Sequence, residues 1–300
     1  MNKSSFLVIL FFVSIEYILL SQSKDTLKSS DVISFVNPYP SNQITIISEV
    51  STGKILFCDN SPELFKRKFM PGSIFKIPIS ICAIINNFDT NFIYNCKGKD
   101  SINGVKIKCW NSHGHGKQKF LKAFSNSCNL YFRTIANSIS TDSLIDIVNT
   151  LGMNYPSGLD GDPNPYQKIS INPFNVLGGS FNMSPIELSQ FAIKLAKRGT
   201  SFGKISLSDK RFDILYKSLH EVVINGTASN RNLIKYKVSG KTGTVDESMG
   251  SAKRAGWFIG FMPTIAPKYA ICTLKENSSG HTAALISGKQ IDFYFRNLNK

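Results

Sequence analysis

The sequence predicts an α/β fold in which a β-sheet layer carries an inserted helical lobe. Strand patterns occur near both ends of the chain, and helical patterns fill the middle. Residues 44–58 alternate around the turn Ser51-Thr52-Gly53-Lys54, which indicates a β-hairpin. Strand patterns return at residues 236–245, 256–262 and 269–274. We therefore expect one sheet layer built from both ends of the chain.

The clearest predicted helix begins after Ser184. Ser184-Pro185-Ile186-Glu187 combines a capping box with proline at the first helical position, and we expect Gly199 to end the helix. Apolar periodicity predicts further helices over residues 74–87, 119–137, 209–223 and 282–296. The second of these contains a break at Ser125-Asn126.

The composition is that of a globular protein with a basic surface. The chain has 300 residues, of which 42% are hydrophobic and 18% charged, so an intrinsically disordered chain is excluded. The formal net charge of +15 is compatible with anionic lipid or an anionic cell-wall polymer as a partner. The lysines are scattered and lack the interleaved aromatics of a nucleic-acid groove, so no nucleic-acid partner is expected.

The first residues predict export from the cytoplasm. Lys3 precedes an apolar run over residues 6–20, and Ser21-Gln22-Ser23 follows as a small-x-small cleavage pattern. We interpret residues 1–23 as a signal peptide or, if uncleaved, a short membrane anchor, and residues 24–40 as a linker. Residues 41–300 form the predicted domain, with the helical lobe at about 61–235. Either interpretation places that domain in the periplasm or at the outer face of a bacterial cytoplasmic membrane.

Six cysteines follow, at positions 58, 82, 96, 109, 128 and 272. Cys82 and Cys272 lie in apolar stretches and are expected to be buried thiols. Cys96 and Cys109 flank a short loop and form the best candidate disulfide pair. The same two cysteines with His113 and His115 also suggest a zinc site, but the spacing is loose and an H-x-H pair is a weak signal, so we expect no metal.

Three short motifs carry chemical information. Ser73-Ile74-Phe75-Lys76 is an S-x-x-K string, Ser127-Cys128-Asn129 an S-x-N string, and Lys241-Thr242-Gly243-Thr244 a K-T-G-T string. S-x-x-K strings also occur elsewhere, for example at Ser21 and Ser201, but only Ser73 follows a Pro-Gly turn and opens an apolar helix. Context therefore selects Ser73.

The three motifs fit nucleophilic catalysis by a serine. A serine hydroxyl needs an adjacent base, and residues three apart at a helix start share one face, so Lys76 can reach Ser73. Lysine acts as a base only when neutral, which requires burial or a nearby positive charge such as Lys241. Gly243 would let a strand edge approach the substrate, and the N–H groups of Ser73 and Thr244 would form an oxyanion hole.

The ordered motifs resemble the transpeptidase domain of penicillin-binding proteins, within the serine β-lactamase-like superfamily of DD-peptidases. The resemblance covers roughly residues 41–296. It includes the segment around Pro71-Gly72-Ser73, the His113-Gly114-His115-Gly116 approach to the second motif, and the strand at Trp257 after K-T-G. It implies an antiparallel five-stranded sheet flanked by helices, with the inserted lobe all-helical.

The resemblance also implies roles for individual residues. Ser73 would be the acylated nucleophile, Lys76 the acylation base, and Ser127 the proton relay to the leaving group. Asn129 would bind the substrate backbone. Lys241 and Thr242 would help bind the terminal carboxylate, Gly243 would let the substrate approach the strand edge, and Thr244 would add an oxyanion donor. Cys128, between two of these residues, is expected to be an inert core thiol.

The implied function is that of an exported serine DD-transpeptidase or DD-carboxypeptidase without a cofactor. Its substrates would be peptidoglycan stem peptides ending in D-Ala-D-Ala, and β-lactam antibiotics would acylate Ser73. Two alternative functions are compatible with the sequence. One is a serine β-lactamase, and the other is a non-catalytic module that binds cell wall or senses β-lactams.

Overall fold

The computed structural model describes residues 42–58, 62–102, 104–153, 181–245 and 254–298. The predicted signal or anchor over residues 1–23 and the linker over 24–40 lie outside these ranges. Within the described residues, no helix has the length and apolar character that a membrane span requires.

The central element is a five-stranded antiparallel sheet, as expected. Its strands are β1 (Gln43–Glu49), β2 (Ile55–Cys58), β9 (Ser239–Val245), β10 (Ala255–Met262) and β11 (Tyr269–Glu276), in the order β2-β1-β11-β10-β9. The N-terminal hairpin therefore pairs with the C-terminal strands through β1 and β11, where Ile46 lies opposite Cys272. All eight residues of β10 are buried, which is typical of an interior strand covered on both faces.

Two helices cover opposite faces of this sheet. Ser48 on β1 hydrogen-bonds Ser189 of the helix Pro185–Lys197, at 3.2 Å between the hydroxyl oxygens. Thr45, also on β1, hydrogen-bonds Thr273, which accepts from Ser287 of the helix Gly280–Leu298. Side chains three apart on a strand point to opposite faces, so one helix lies on each side.

The inserted lobe is mainly helical. Its helices are Pro62–Phe65, Lys76–Ile85, Phe120–Ser125, Asn129–Ala136, Thr141–Thr150, Asp213–Ile224 and Arg231–Lys235. Two short 3₁₀ segments, Gly72–Phe75 and Lys210–Phe212, precede the second and sixth of these helices. The predicted break at Ser125-Asn126 is confirmed, because one helix ends there and the next begins at Asn129.

The lobe also contains three two-stranded pairs that the sequence patterns did not predict. β3 (Tyr94–Cys96) pairs with β6 (Gly116–Gln118), β4 (Lys99–Ile102) with β5 (Val105–Lys108), and β7 (Ser201–Phe202) with β8 (Ile205–Ser206). Each strand has two to four residues, which is too short for a period-2 pattern to stand out from a loop.

Two local expectations need correction. The helix after Ser184 has its capping box, but its left-handed C-terminal residue is Arg198, with φ of 53°, rather than Gly199. Cys96 and Cys109 form no disulfide and carry free thiols. The expectation for Cys82 and Cys272 is confirmed, since both are fully buried.

Candidate active site

Ser73 lies in a tight turn that is pressed against strand β9. The turn is the 3₁₀ segment Gly72–Phe75, and Gly72 adopts a left-handed φ of 56°. A Cβ atom at Gly72 would come within 2.7 Å of the carbonyl oxygen of Thr244. Glycine is therefore required here both for its backbone conformation and for the close approach to β9.

A second glycine and a tryptophan complete this contact. A Cβ atom at Gly243 on β9 would lie 2.4 Å from the carbonyl oxygen of Pro71 and 3.2 Å from Cγ1 of Ile74. Trp257 on β10 donates its Nε1–H to the carbonyl oxygen of Met70 at 2.9 Å. The missing side chain of Gly243 thus makes room for the turn that carries Ser73, which is a packing reason for K-T-G beyond substrate access.

Replacing Gly243 by alanine is expected to lower the rate of Ser73 acylation about a hundredfold or more, because the added methyl group must displace the turn. The measurement is the second-order rate of adduct formation with penicillin. Gly199→Ala is the control, since the nearest atom to a Cβ there is 4.0 Å away. Equal rates for both variants would contradict this account of the turn.

Lys76 is the first residue of the helix Lys76–Ile85 and is fully buried. Its Nζ donates to the carbonyl oxygen of Ser127 at 2.7 Å, to Oδ1 of Asn129 at 2.7 Å and to Oγ of Ser127 at 3.2 Å. The first two motifs are therefore joined by one ammonium group. Among the described residues, no hydrogen bond links Lys76 Nζ to Ser73 Oγ, so the expected direct pairing is absent from this resting arrangement.

Ser127 occupies the junction between the helices Phe120–Ser125 and Asn129–Ala136. It has a left-handed φ of 52°, which is uncommon for a residue with a side chain and is concentrated at functional sites. Its hydroxyl also accepts a hydrogen bond of 2.9 Å from Lys241 Nζ, which in addition donates to the carbonyl oxygen of Thr242 at 3.0 Å. Ser127 Oγ thus lies between two lysine ammonium groups.

Burial favours the neutral form of both lysine side chains. It lowers the pKa of Lys76 to about 8, and burial together with the charge of Lys76 lowers the pKa of Lys241 well below its usual value. The cause for Lys76 is chiefly burial, rather than the neighbouring charge of Lys241 that the sequence suggested. A lysine with this pKa can accept a proton near neutral pH.

The other residues of the third motif have partners that the sequence did not predict. The Thr242 hydroxyl lies 2.6 Å from that of Thr227, and the Thr244 hydroxyl accepts from the backbone N–H of Gly280 at 2.9 Å. Gly280 begins the 19-residue C-terminal helix, whose positive dipole end is thereby directed at β9. Thr227 and Gly280 lie outside the three motifs, and no periodicity or spacing marks them.

The chain is similar to several known proteins. The sequence model of the penicillin binding protein transpeptidase domain matches residues 43–292. Stage V sporulation protein D of Bacillus subtilis is 25% identical over 252 aligned residues, covering 71% of this chain and 39% of that protein. The peptidoglycan D,D-transpeptidase MrdA of Acinetobacter baumannii is 24% identical over 243, covering 63% and 36%. The chain thus spans under half the length of these relatives.

Solved structures show the same fold. The transpeptidase domain of Burkholderia pseudomallei penicillin-binding protein 3 superposes with a TM-score of 0.68 at 19% identity, covering 86% of this chain and 88% of that one. PBP2 of Helicobacter pylori gives 0.67 at 18% identity, covering 83% and 60%. With the family match over residues 43–292, the chain belongs to the penicillin-binding protein transpeptidase domain family.

Proposed function

We propose that this chain is an exported serine D-Ala-D-Ala peptidase that acts on peptidoglycan stem peptides. The observation that carries the proposal is the contact of two buried lysines with one hydroxyl. Lys76 and Lys241 both donate to Ser127 Oγ, at 3.2 and 2.9 Å, beside the turn that presents Ser73. This arrangement can move a proton between a nucleophile and a leaving group without a cofactor.

In the proposed first step, Ser73 Oγ attacks the carbonyl carbon between the two terminal D-Ala residues. Neutral Lys76 takes the hydroxyl proton as the new ester C–O bond forms. The backbone N–H groups of Ser73 and Thr244 bind the oxyanion. The C–N bond then breaks as Ser127 gives its proton to the departing amine of D-Ala and takes the proton held by Lys76, so both residues return to their starting forms. The product is an ester on Ser73.

The substrate is held by the residues around this path. Lys241 and Thr242 bind the terminal carboxylate, supported by Thr227 and by the helix that begins at Gly280. Asn129, which already accepts from Lys76, binds the substrate backbone. In the second step an amine of another stem peptide takes the acyl group in a transpeptidase, and water takes it in a carboxypeptidase.

The relatives support this assignment of substrate and compartment. MrdA of Acinetobacter baumannii carries the name peptidoglycan D,D-transpeptidase, and its similarity to this chain covers 36% of its length. Peptidoglycan lies outside the cytoplasmic membrane, so the proposal requires export, which the N-terminal sequence also predicts. A β-lactam has the strained amide that the same serine would attack.

The test is the intact mass of the purified protein after addition of penicillin, followed from seconds to hours. We expect one long-lived adduct per chain. Trypsin should release residues 69–76, Phe-Met-Pro-Gly-Ser-Ile-Phe-Lys, in which Ser73 is the sole hydroxyl, and the adduct should lie on this peptide. An adduct lost within seconds while penicillin is consumed would identify a β-lactamase instead. No adduct would refute catalysis and favour a binding module.

The pH dependence of acylation tests Lys76 as the base. Since burial lowers its pKa to about 8, the ammonium form predominates below that pH. The acylation rate should therefore rise about tenfold per pH unit up to about pH 8 and then level off. The measurement is the rate of adduct formation between about pH 6 and pH 9, and a flat profile would contradict a lysine base.

A further inference from the structure

We propose that Cys96, Cys109, His115 and Cys128 bind one zinc ion, and that this ion holds the Ser127–Asn129 segment in place. The metal site itself does not depend on the proposed function, whereas its effect on catalysis rests on it. The proposal departs from our expectation of a metal-free protein. It also changes the ligand set suggested by the sequence, because His113 is exposed and Cys128 takes its place.

The distances fit a tetrahedral zinc site. One donor atom from each of the four residues lies within 4.8 Å of every other. The Sγ atoms of Cys109 and Cys128 are 3.9 Å apart. His115 Nδ1 lies 3.6 Å from Cys96 Sγ and 3.5 Å from Cys109 Sγ. Zn–S bonds of about 2.3 Å and Zn–N bonds of about 2.0 Å, at tetrahedral angles, place sulfurs about 3.8 Å apart and sulfur and nitrogen about 3.6 Å apart.

The backbone around the cluster is shaped to bring these residues together. Cys96 lies on β3, which pairs with β6 so that Cys96 is opposite Gly116, next to His115. Gly98 and Gly114 have left-handed φ angles of 83° and 82°. A Cβ atom at Gly98 would lie 2.0 Å from the carbonyl oxygen of Ser112, and one at Gly114 would lie 2.1 Å from that of Cys96. Both glycines therefore let two loops touch beneath the cluster.

The cluster is also shielded from solvent, and most of its donor atoms are sulfur. The three cysteines are buried, and the Trp110 ring covers His115 at 5.1 Å between ring centroids. Among the described residues, the buried Nε2 of His115 has no hydrogen-bond partner, whereas Nδ1 faces the sulfurs of Cys96 and Cys109 and is the ring nitrogen placed to bind a metal. Three thiolates and an imidazole are a common ligand set for structural zinc, and four protein ligands leave no open position.

A disulfide accounts for this arrangement less well. The 3.9 Å between Cys109 and Cys128 sulfurs is close to the separation in a metal site and far from the bond length of about 2.0 Å. A disulfide between Cys109 and Cys128 would also leave Cys96 and His115 without a role. The backbone N–H of Cys109 already donates to the carbonyl oxygen of Gly98 at 2.7 Å, which fixes the loop before any cross-link forms.

The site joins the metal to the second motif through Cys128. This residue lies between Ser127 and Asn129, and its Sγ accepts from the backbone N–H of Tyr131 at the start of the next helix. Lys76 contacts both neighbours of Cys128. A metal bond at Cys128 would therefore restrain both groups on which Lys76 depends, so Cys128 is a positioning residue rather than the inert thiol expected from the sequence.

The first test is metal content. The full chain, purified under reducing conditions without added chelator, should contain about one zinc ion, and Co²⁺ exchange should produce thiolate-to-metal charge-transfer absorption with tetrahedral d–d bands. Cys109→Ala and His115→Ala should weaken zinc binding roughly tenfold or more. Cys82→Ala and His113→Ala are the matched controls and should retain the ion, since one is a buried thiol and the other a nearby imidazole outside the cluster.

If the ligand variants do not fold, zinc and thiol measurements on the wild-type protein still test the proposal. Zinc below about a tenth of an ion per chain, together with three reduced cluster cysteines by thiol titration and no cobalt spectrum, would overturn the proposal. A Cys109–Cys128 or Cys96–Cys109 disulfide in the purified protein would overturn it as well. Ser73→Ala should bind zinc normally, so failure of the catalytic proposal and failure of the metal site give different results.

The second test asks whether zinc positions the Ser127–Asn129 segment for acylation. Removing zinc from the wild-type protein should slow acylation by penicillin at least tenfold, and adding Zn²⁺ back should restore it. Cys82→Ala should show the same loss and recovery. An unchanged acylation rate in protein shown to be zinc-free would refute the positioning role of Cys128.

Discussion

Ser73→Ala is expected to abolish covalent labelling by penicillin, with no adduct detectable by intact mass. The variant lacks the hydroxyl oxygen that forms the ester in the proposed mechanism, and alanine offers no substitute nucleophile at this turn. Ser73 is partly exposed, and the structure is built around the backbone of Pro71 and Gly72 rather than around its hydroxyl. The free energy of unfolding should therefore change by no more than about 0.5 kcal/mol.

Ser201→Ala is the matched control for this variant. Ser201-Phe202-Gly203-Lys204 has the same S-x-x-K pattern, but both residues are exposed: Ser201 lies on β7, and Lys204 lies in the turn between β7 and β8. This variant should be labelled at the wild-type rate. Labelling of Ser73→Ala at another residue would refute Ser73 as the nucleophile, and loss of labelling in Ser201→Ala would show that the context of the motif was misjudged.

Lys76→Met is expected to slow acylation by roughly 10²- to 10⁴-fold, which is the usual contribution of a positioned general base. Methionine has a similar length and no charge, so it fills the buried space while removing the proton acceptor. It also removes the ammonium group that joins Ser127 and Asn129. The measurement is the second-order rate of adduct formation, with the melting temperature determined in parallel.

Lys204→Met is the corresponding control, because Lys204 is an exposed lysine at the same position of another S-x-x-K string. We expect Lys76→Met to retain a cooperative melting transition, since methionine fills the buried space, but at a lower temperature, because the carbonyl oxygen of Ser127 and Oδ1 of Asn129 lose their donor. A folded Lys76→Met protein that acylates at the wild-type rate would remove Lys76 from the base role.

Much of the fold could be predicted because its signals are local. The alternation of the N-terminal hairpin, the capping box at Ser184 and the break at Ser125-Asn126 each depend on a few adjacent residues, and all three are present in the structure. The choice of Ser73 over Ser201 was also local, because a Pro-Gly turn and an apolar helix flank only Ser73 among the described strings. Short strand pairs such as β3–β6 were not predicted, because neither strand is long enough to show the period-2 alternation of a strand.

The active-site contacts required the tertiary structure. Ser127 and Lys241 are 114 residues apart in sequence, yet their Oγ and Nζ atoms are 2.9 Å apart. No spacing rule links them, because the separation is set by how the lobe packs on the sheet. The packing role of Gly243 against Pro71 likewise depends on a contact between distant elements, as do the partners Thr227 and Gly280.

By itself, the sequence determined the strands of the central sheet, several helices, the three motifs, the candidate nucleophile Ser73 and the family to which these point. Only the tertiary structure decided which of the cysteines and histidines meet. Cys128 lies within the second motif, 19 residues from Cys109, yet the two sulfurs are neighbours. His113 is only two residues from His115, but it is exposed and lies outside the cluster. Side-chain ligands converge through chain folding over long separations, so their grouping is a property of the packed molecule.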